Sequence, residues 1–170
     1  MLPLDGERYA GMLYRALNPV YAREPLSGRG AALFGGRFNR KGRAAFYTAL
    51  RPETALREAN QVGTLQPTTL VAYHADVRSI FDGRNDAALT RYGLDAATLA
   101  APDWRDRMLR GLPVPTQDLA ERLVVDGFAG LLVPSYAKGA IARDLNIVLW
   151  RWNSGAEDEV LIVDDEGRLL

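Results

Sequence analysis

Three side chains in one short stretch of the chain have types and spacing that suit the binding and chemistry of an anionic ligand. The stretch reads GGRFNRKGRAAFYTALRPETALREA over 35–59 and holds Arg37, Tyr47 and Glu58. Arg37 follows two glycines, which let a backbone turn tightly and approach a ligand closely. A guanidinium held there can bind a phosphate through two parallel hydrogen bonds. The alternative is an ordinary flexible loop with a solvated arginine.

Glu58 is unusual because the predicted helix places it on an apolar side. The pattern RPETALREANQVG predicts a helix over 51–63, with a proline in its first turn and a glycine at its end. On that helix Ala55 and Val62 share a stripe with Glu58. A carboxylate there loses solvation, which a partner or a function must offset. The alternative is that Glu58 lies at the edge of the stripe and reaches water.

Tyr47 and two further polar side chains lie in predicted strands or at a strand end. Tyr47 is in a strand over 44–50, where it either stacks on a heteroaromatic ring or packs as a core or edge aromatic. Arg15 lies in a strand over 12–17, an unusual place for a cation. It pairs with an acid, faces solvent or reaches the same anion. Ser135 follows a strand end, where loops often present functional hydroxyls, or it is a plain turn serine.

The composition excludes several kinds of site. The 170 residues include no cysteine and one histidine. This rules out disulfides, a cysteine nucleophile and a multi-histidine metal site, so we expect no metal. The lack of cysteine fits a cytoplasmic protein, and we see neither a signal peptide nor a membrane span. The net charge is zero, but 23–43 carries six basic side chains against one acid, which predicts a local anionic ligand.

The elements that must position these side chains alternate irregularly. Strands are predicted at both ends of the chain with helices between them, without the regular βαβ order of a doubly wound protein. We therefore expect a single compact α+β domain over 1–170, with a mixed, partly antiparallel sheet. The predicted strands cover 12–17, 44–50, 68–77, 129–135, 145–152 and 159–165. The predicted helices cover 51–63, 86–100, 103–110 and 115–127, the last with Thr116 as a candidate cap, and 18–42 is predicted to be a long loop.

Taken together, these residues resemble the RES-domain toxins of bacterial toxin–antitoxin pairs. The resemblance rests on LYRAL near the start, the block from PLSGRG to ALREA, then VPS and NIVLWRW, and it covers about 14–152. Phe38 stands where many members have tryptophan. The resemblance implies an ADP-ribosyltransferase-like fold and NAD as the substrate. The implied reaction breaks the nicotinamide–ribose bond and passes ADP-ribose to a protein target, phosphate or water.

The resemblance also implies a site and a partner. Carried onto this chain, the polar site of the family falls on Arg15, Arg37, Tyr47, Glu58 and Ser135. Glu58, Arg37 and Tyr47 are the implied catalytic residues, and Arg15, Arg37, Tyr47 and Ser135 are the implied NAD-binding residues. The arginine of the family name is either Arg15 or Arg37. The implied partner is a cognate antitoxin with a helix-turn-helix region, which covers the active-site cleft, and we expect no membrane or direct nucleic-acid contact.

Two other functions fit parts of the sequence. One is a toxin that binds or cleaves RNA through the basic segment 23–43, which also has two phenylalanines for base stacking. The other is a non-catalytic binding module that uses Trp150, Trp152 and the acidic C-terminal tail. The acceptor of ADP-ribose, the oligomeric state and the role of 83–118 stay open at this point.

Overall fold

The computed structural model describes residues 6–61 and 63–169 and contains both strands and helices. The strands are β1 (Glu7–Leu17), β2 (Phe46–Ala49), β3 (Thr69–Asp82), β4 (Gly130–Pro134), β5 (Leu145–Leu149) and β6 (Asp158–Ile162). The helices are α1 (Arg29–Phe34), α2 (Pro52–Ala59), α3 (Asp86–Arg91), α4 (Ala96–Ala100), α5 (Trp104–Leu109) and α6 (Pro115–Val125). A single 3-10 turn, Pro19–Tyr21, precedes α1.

The strands form one mixed sheet whose pairings close on themselves. Its order is β1–β2–β5–β4–β3–β6, and β1 also pairs with β3. The pair β3–β4 is parallel and the other neighbours are antiparallel. The predicted α+β class with a mixed, partly antiparallel sheet is therefore confirmed.

Strand β3 closes the ring because it is long and changes partners along its length. Its first part pairs with β1 on one side and β6 on the other, and Ile80–Asp82 pairs with β4. Ser79 lies between the two parts with φ of 64°, a left-handed conformation that interrupts the extended backbone. The strand predicted over 68–77 is too short, because β3 resumes beyond this residue.

Two apolar clusters fill the interior of the fold. In the first, Leu119 and Leu123 of α6 lie one helical turn apart and pack with Phe81 and Leu131 of the sheet. The second is built from residues of all six strands and includes the fully buried side chains Leu13, Phe46, Tyr73 and Ile147. Burial of these side chains is the main stabilising contribution to such a sheet–helix packing.

The segment 18–42, predicted as a loop, contains the 3-10 turn and α1. Asn18 caps the 3-10 turn by accepting a hydrogen bond from the backbone of Val20. No residue of α1 is buried. The helix therefore has no apolar stripe from which it could be predicted. Gly35 ends α1 with φ of 72°, a conformation that favours glycine.

Two predicted helices have the wrong bounds. The helix predicted over 51–63 ends at Ala59, where the Asn60 side chain donates to the carbonyl of Leu56. Val62 lies outside the described residues. The helix predicted over 86–100 is two helices, α3 and α4, because Gly93 has φ of 75° and the Asp95 side chain caps α4.

The other corrections concern one cap and three strands. Strand β1 begins at Glu7 rather than at 12, and β6 ends at Ile162 rather than at 165. The cap of α6 is Val114 rather than the predicted Thr116, with Pro115 in the first turn. Strand β5 ends at Leu149, because the backbone N–H groups of Trp150 and Arg151 both donate to Ala129. Among the helices of the described residues, none has the length and apolar character needed to cross a bilayer.

Candidate active site

A cavity of about 700 Å³ collects most of the side chains that the sequence singled out. Arg15, Arg37, Tyr47 and Glu58 line it, and they come from β1, the 35–45 loop, β2 and α2. Ser135 lies just behind the wall, where its hydroxyl contacts Glu58. Such a volume is typical of small-molecule sites, which span roughly 300–1,000 Å³.

The carboxylate of Glu58 is fixed by donors from two strand ends. Its Oε1 accepts from Ser135 Oγ at 2.5 Å and from Asn146 Nδ2 at 2.6 Å. Its Oε2 accepts from Gln61 Nε2 at 2.7 Å, and Gln61 is exposed. Glu58 is half-buried, so it neither snorkels freely nor lies in the core. One oxygen is therefore held by the protein, and the other is covered by a side chain that solvent can reach.

Helix α2 is held in place by a buried aspartate from the 135–144 loop. Asp144 accepts hydrogen bonds from Thr54 Oγ1 at 2.6 Å and from Arg57 Nη1 at 2.7 Å, both on α2. The backbone N–H of Ile141 also donates to it at 2.8 Å. The Thr54 hydroxyl, this N–H and the nearby arginines lower the pKa of Asp144. These contacts set the direction in which α2 presents Glu58.

Arg37 lies in the cavity between two aromatic rings. Its guanidinium carbon is 4.7 Å from the ring centre of Tyr136 and 5.9 Å from that of Trp104. Its Nη1 donates to the carbonyls of Leu99 at 3.0 Å and Ala101 at 2.7 Å, at the end of α4. Burial lowers its pKa, whereas Tyr136 and Glu58 oppose that shift. The two aromatic rings and the two backbone carbonyls therefore fix the position of the Arg37 guanidinium.

The backbone around Arg37 is clamped by α6. Thr116 Oγ1 donates to the carbonyl of Arg37 at 2.6 Å, and Gln117 Nε2 donates to the carbonyl of Gly36 at 2.8 Å. Thr116, which is not the cap of α6, therefore positions the arginine loop instead. The predicted flexible loop is, at this point, tied to a helix of the core.

Tyr47 supports the same loop through its hydroxyl. The hydroxyl donates to Asn39 Oδ1 at 2.7 Å and accepts from the backbone N–H of Phe38 at 3.0 Å. A Cβ at Gly36 would lie 2.4 Å from that hydroxyl, so glycine is required by this close approach. Burial raises the pKa of Tyr47. The ring lines the cavity, whereas the hydroxyl is already hydrogen-bonded to Phe38 and Asn39 of the arginine loop.

Arg15 lines the cavity, yet its guanidinium is used mainly to hold a loop. Its Nη1 donates to the carbonyls of Pro25 at 3.0 Å and Ser27 at 3.2 Å. Its guanidinium carbon lies 4.4 Å from the ring centre of Phe46. Burial lowers its pKa, and Tyr73 opposes the shift. From the sequence, Arg15 was expected to pair with an acid, face solvent or reach the anion. The structure shows that it pairs with backbone carbonyls and not with an acid.

The basic segment 23–43 is partly neutralised by acids of α6. Arg43 makes a two-point pair with Glu121 at 2.6 and 2.7 Å, and Arg40 pairs with Asp118. The sequence has one acid within the segment itself. It does not show that acids of α6 lie next to the segment in the fold. This pairing reduces the positive surface that a nucleic acid would need.

The two tryptophans proposed for a binding module are internal anchors. Trp150 Nε1 donates to the carbonyl of Phe38 at 2.8 Å, and Trp152 Nε1 donates to that of Leu26 at 3.0 Å. The Trp152 ring also stacks on Phe46, with ring centres 5.3 Å apart. Both are half-buried and tie the 25–40 segment to the end of β5.

Sequence reasoning missed four residues that shape the site. Asn39 is fully buried and donates through Nδ2 to the carbonyls of Ala31, Arg40 and Arg43. Asn146 donates to Glu58, while its buried Oδ1 has no hydrogen-bond partner within the described residues. Tyr136 and Trp104 flank Arg37. Tyr136 follows Ser135 directly, which was a usable signal, whereas Trp104 was expected from its residue type to be only a core or interface anchor.

The segment 83–118, which carried no recognised motif, forms one wall of the cavity. Pro102, Trp104 and Arg105 line it, and the carbonyls of Leu99 and Ala101 hold Arg37. Within 6–61 and 63–169 no group of three or more acidic or histidine side chains could hold a metal ion. The arrangement can bind an anion beside a fixed carboxylate.

Comparison with known families agrees with the resemblance noted in the sequence. The family model described as the RES domain matches residues 12–170, nearly the whole chain. A search of curated proteins finds no match. The match covers every residue of the cavity described above.

Proposed function

Because the chain belongs to the RES-domain family, which is associated with NAD-utilising toxins, we propose that it is a toxin that consumes NAD. The proposed reaction breaks the bond between nicotinamide and ribose and transfers ADP-ribose to a protein target, phosphate or water. In this proposal NAD is the substrate and no metal takes part. The toxin acts in the cytoplasm, where its substrate is found, as one half of a toxin–antitoxin pair.

The observation that carries the proposal is the position of Glu58 beside Arg37 in one cavity. A fixed carboxylate and a fixed guanidinium match the two charges that the reaction presents, a developing ribose cation and a pyrophosphate. Ser135 and Asn146 hold one oxygen of Glu58, which reduces the reorganisation needed during reaction.

The role of Glu58 is charge stabilisation rather than proton transfer to the leaving group. When the ribose C1′–N bond breaks, its electron pair goes to the nicotinamide nitrogen, which becomes neutral and needs no proton. The ribose is left with positive charge, as in glycoside cleavage. Glu58 Oε2 is the oxygen free to face the ribose once the Gln61 amide moves away, since its other oxygen is already bound. The acceptor then attacks C1′ through an oxygen or nitrogen lone pair and loses a proton.

The other predicted site residues bind and position the substrate. Arg37 presents Nε and Nη2, which have no hydrogen-bond partner in the described part of the chain, and these suit the pyrophosphate. The ring of Tyr47 forms a wall against which nicotinamide packs. Arg15 adds positive charge to the cavity while holding the 25–27 backbone, and Ser135 acts through Glu58.

A partner that controls such an enzyme must reach the cavity. We propose that the cognate antitoxin, a protein with a helix-turn-helix region, covers the cleft and excludes NAD. Saturating antitoxin should then abolish NAD binding, and by linkage NAD should weaken antitoxin binding by the same factor. Simultaneous binding with unchanged affinities would place the antitoxin elsewhere.

The proposed reaction is tested by incubating the purified protein with NAD and identifying the products by mass spectrometry. Parallel reactions contain buffer alone, phosphate or cell lysate, so that ADP-ribose, its phosphorylated form and a modified protein are distinguished. Release of nicotinamide in at least one of them supports the proposal. Intact NAD in all three, with degradation of added RNA, would favour the nucleic-acid alternative.

A further inference from the structure

We propose that Trp104 and Arg105, at the start of α5, form a subsite for the adenylate half of the dinucleotide. The inference rests on the proposed function, because it assigns the part of the cavity that the cleavage chemistry does not use. It gives the segment 83–118 a role in substrate recognition.

The groups around the cavity follow a definite order. Glu58 is bound to Ser135, and the next residue, Tyr136, packs on Arg37 at 4.7 Å. Beyond Arg37 comes the ring of Trp104, and the guanidinium carbon of Arg105 lies 4.9 Å from that ring. The groups are therefore a carboxylate, then a cation, and then an aromatic ring with a second cation beside it.

This arrangement fits the proposed substrate, because the second phosphate and the adenosine follow directly after the first phosphate and would both lie near the Trp104–Arg105 pair. With the ribose of the scissile bond at Glu58 and a phosphate at Arg37, the adenosine and its own phosphate extend toward α5. An indole ring supplies an apolar surface for a purine or its ribose. A guanidinium suits a phosphate oxygen.

Arg105 is distinguished from its neighbours by its lack of an acidic partner. On the same helix, Arg107 pairs with Asp103 and Arg110 pairs with Asp106. Within residues 6–61 and 63–169 no carboxylate lies within ion-pair distance of Arg105, which is exposed and lines the cavity. Its charge is therefore available to a ligand.

Charge and size agree with a dinucleotide rather than a smaller nucleoside. Among residues 6–61 and 63–169, the cavity is lined by Arg15, Arg37 and Arg105 but by only one carboxylate, Glu58. This excess of positive charge suits a pyrophosphate. The same cavity of about 700 Å³ is lined by Glu58 and by Trp104 and Arg105 of α5.

The test compares two substrates, NAD and nicotinamide mononucleotide, which has the same scissile bond but lacks the adenylate half. The variant is Arg105→Ala, and the matched control is Arg110→Ala, which removes an exposed arginine at the end of the same helix but outside the cavity. Rates of nicotinamide release give KM and kcat for each substrate, and calorimetry gives the Kd of ADP-ribose for each protein.

Arg105→Ala should raise the KM for NAD and the Kd of ADP-ribose about tenfold, the loss of one charge-assisted phosphate contact. Its KM for nicotinamide mononucleotide should change less than twofold, and kcat should stay within twofold for both substrates. The control should match the wild type. Equal effects on the two substrates, or no effect on either, would overturn this inference while leaving NAD cleavage intact. A wild-type protein that binds neither NAD nor ADP-ribose would instead remove the proposed function and this inference with it.

Discussion

Arg15 and Arg37 line the same cavity, but their surroundings differ in kind. Arg15 lies over Phe46 and donates to two carbonyls of the 25–27 segment. Arg37 lies between Tyr136 and Trp104 and donates to two carbonyls at the end of α4. Arg15 therefore connects a strand to a loop that covers it. The carbonyls at the end of α4 hold Arg37 through Nη1, so that its remaining N–H groups are available to a ligand.

The difference shows that the contacts an arginine already makes decide whether it holds the structure together or binds a ligand. Both arginines use Nη1 on backbone oxygen, so neither is neutralised by an acid. The carbonyls bound by Arg15 belong to an irregular segment that Tyr73 and Trp152 also hold, through the carbonyls of Pro25 and Leu26. The carbonyls bound by Arg37 belong to a helix end that α6 and the apolar core support independently. We therefore expect loss of Arg15 to affect stability and loss of Arg37 to affect substrate binding.

Among the variants that test this comparison, the largest effect on activity is expected for Arg37→Lys. Lysine keeps the charge but lacks the planar fork that binds a phosphate at two points, so kcat/KM for NAD should fall about a hundredfold. The matched control is Arg40→Lys, in the same loop but paired with Asp118 outside the cavity. Steady-state kinetics of nicotinamide release measures both. Full activity of Arg37→Lys at low NAD would show that the guanidinium is not a clamp.

Arg15→Met should mainly lower stability. The variant leaves the Ser27 carbonyl without its donor, which costs about 2 kcal/mol of unfolding free energy, less the gain from removing a poorly solvated charge. Urea unfolding measures the change, and Arg23→Met, at an exposed arginine of the same loop, is the control. A stable variant with kcat/KM reduced as far as in Arg37→Lys would reverse the roles assigned to the two arginines.

Tyr47→Phe should have a smaller effect on activity than Arg37→Lys. It removes the hydroxyl that binds Asn39 and the Phe38 backbone but keeps the ring at the cavity wall. Because the buried Asn39 Oδ1 and Phe38 N–H lose their partner, we expect a loss of about 2–3 kcal/mol of unfolding free energy, but less than a tenfold loss in kcat. Tyr21→Phe, at an exposed position, serves as the control. A loss of activity as large as that of Arg37→Lys would give the hydroxyl a direct part in the reaction.

The elements with strong periodic or punctuating signals were predictable from the sequence. The predicted strands over 44–50 and 129–135 and the helix over 115–127 match β2, β4 and α6 within a few residues. Their signals are continuous apolar runs and a proline in the first helical turn. By contrast, α1 has no buried residue, and the extension of β3 depends on the conformation of Ser79. Neither feature leaves a pattern in the sequence.

The same division applies to the candidate site. The GG-Arg turn and the acid of α2 could be identified from the sequence. Two adjacent glycines, and an acid on the apolar side of a helix, are both uncommon unless structure or function requires them. The donors to Glu58 and the carbonyls that hold Arg37 come from residues 77–88 and 62–64 positions away in the chain. Contacts at such separations depend on the closed sheet, and one sequence carries no record of them. This is why Asn146 and Trp104 were missed.

The central claim is that the carboxylate of Glu58 stabilises the ribose cation as nicotinamide leaves. The most direct measurement is the rate of nicotinamide release from NAD by the wild type, by Glu58→Gln and by Glu53→Gln. Glu53 lies on the same helix but is exposed and pairs with Arg51, so its variant is the matched control. With all three proteins equally folded by circular dichroism, Glu58→Gln should be slower by a factor of about a hundred or more, close to 3 kcal/mol of barrier, and Glu53→Gln should be unchanged. Wild-type turnover by Glu58→Gln would contradict the claim.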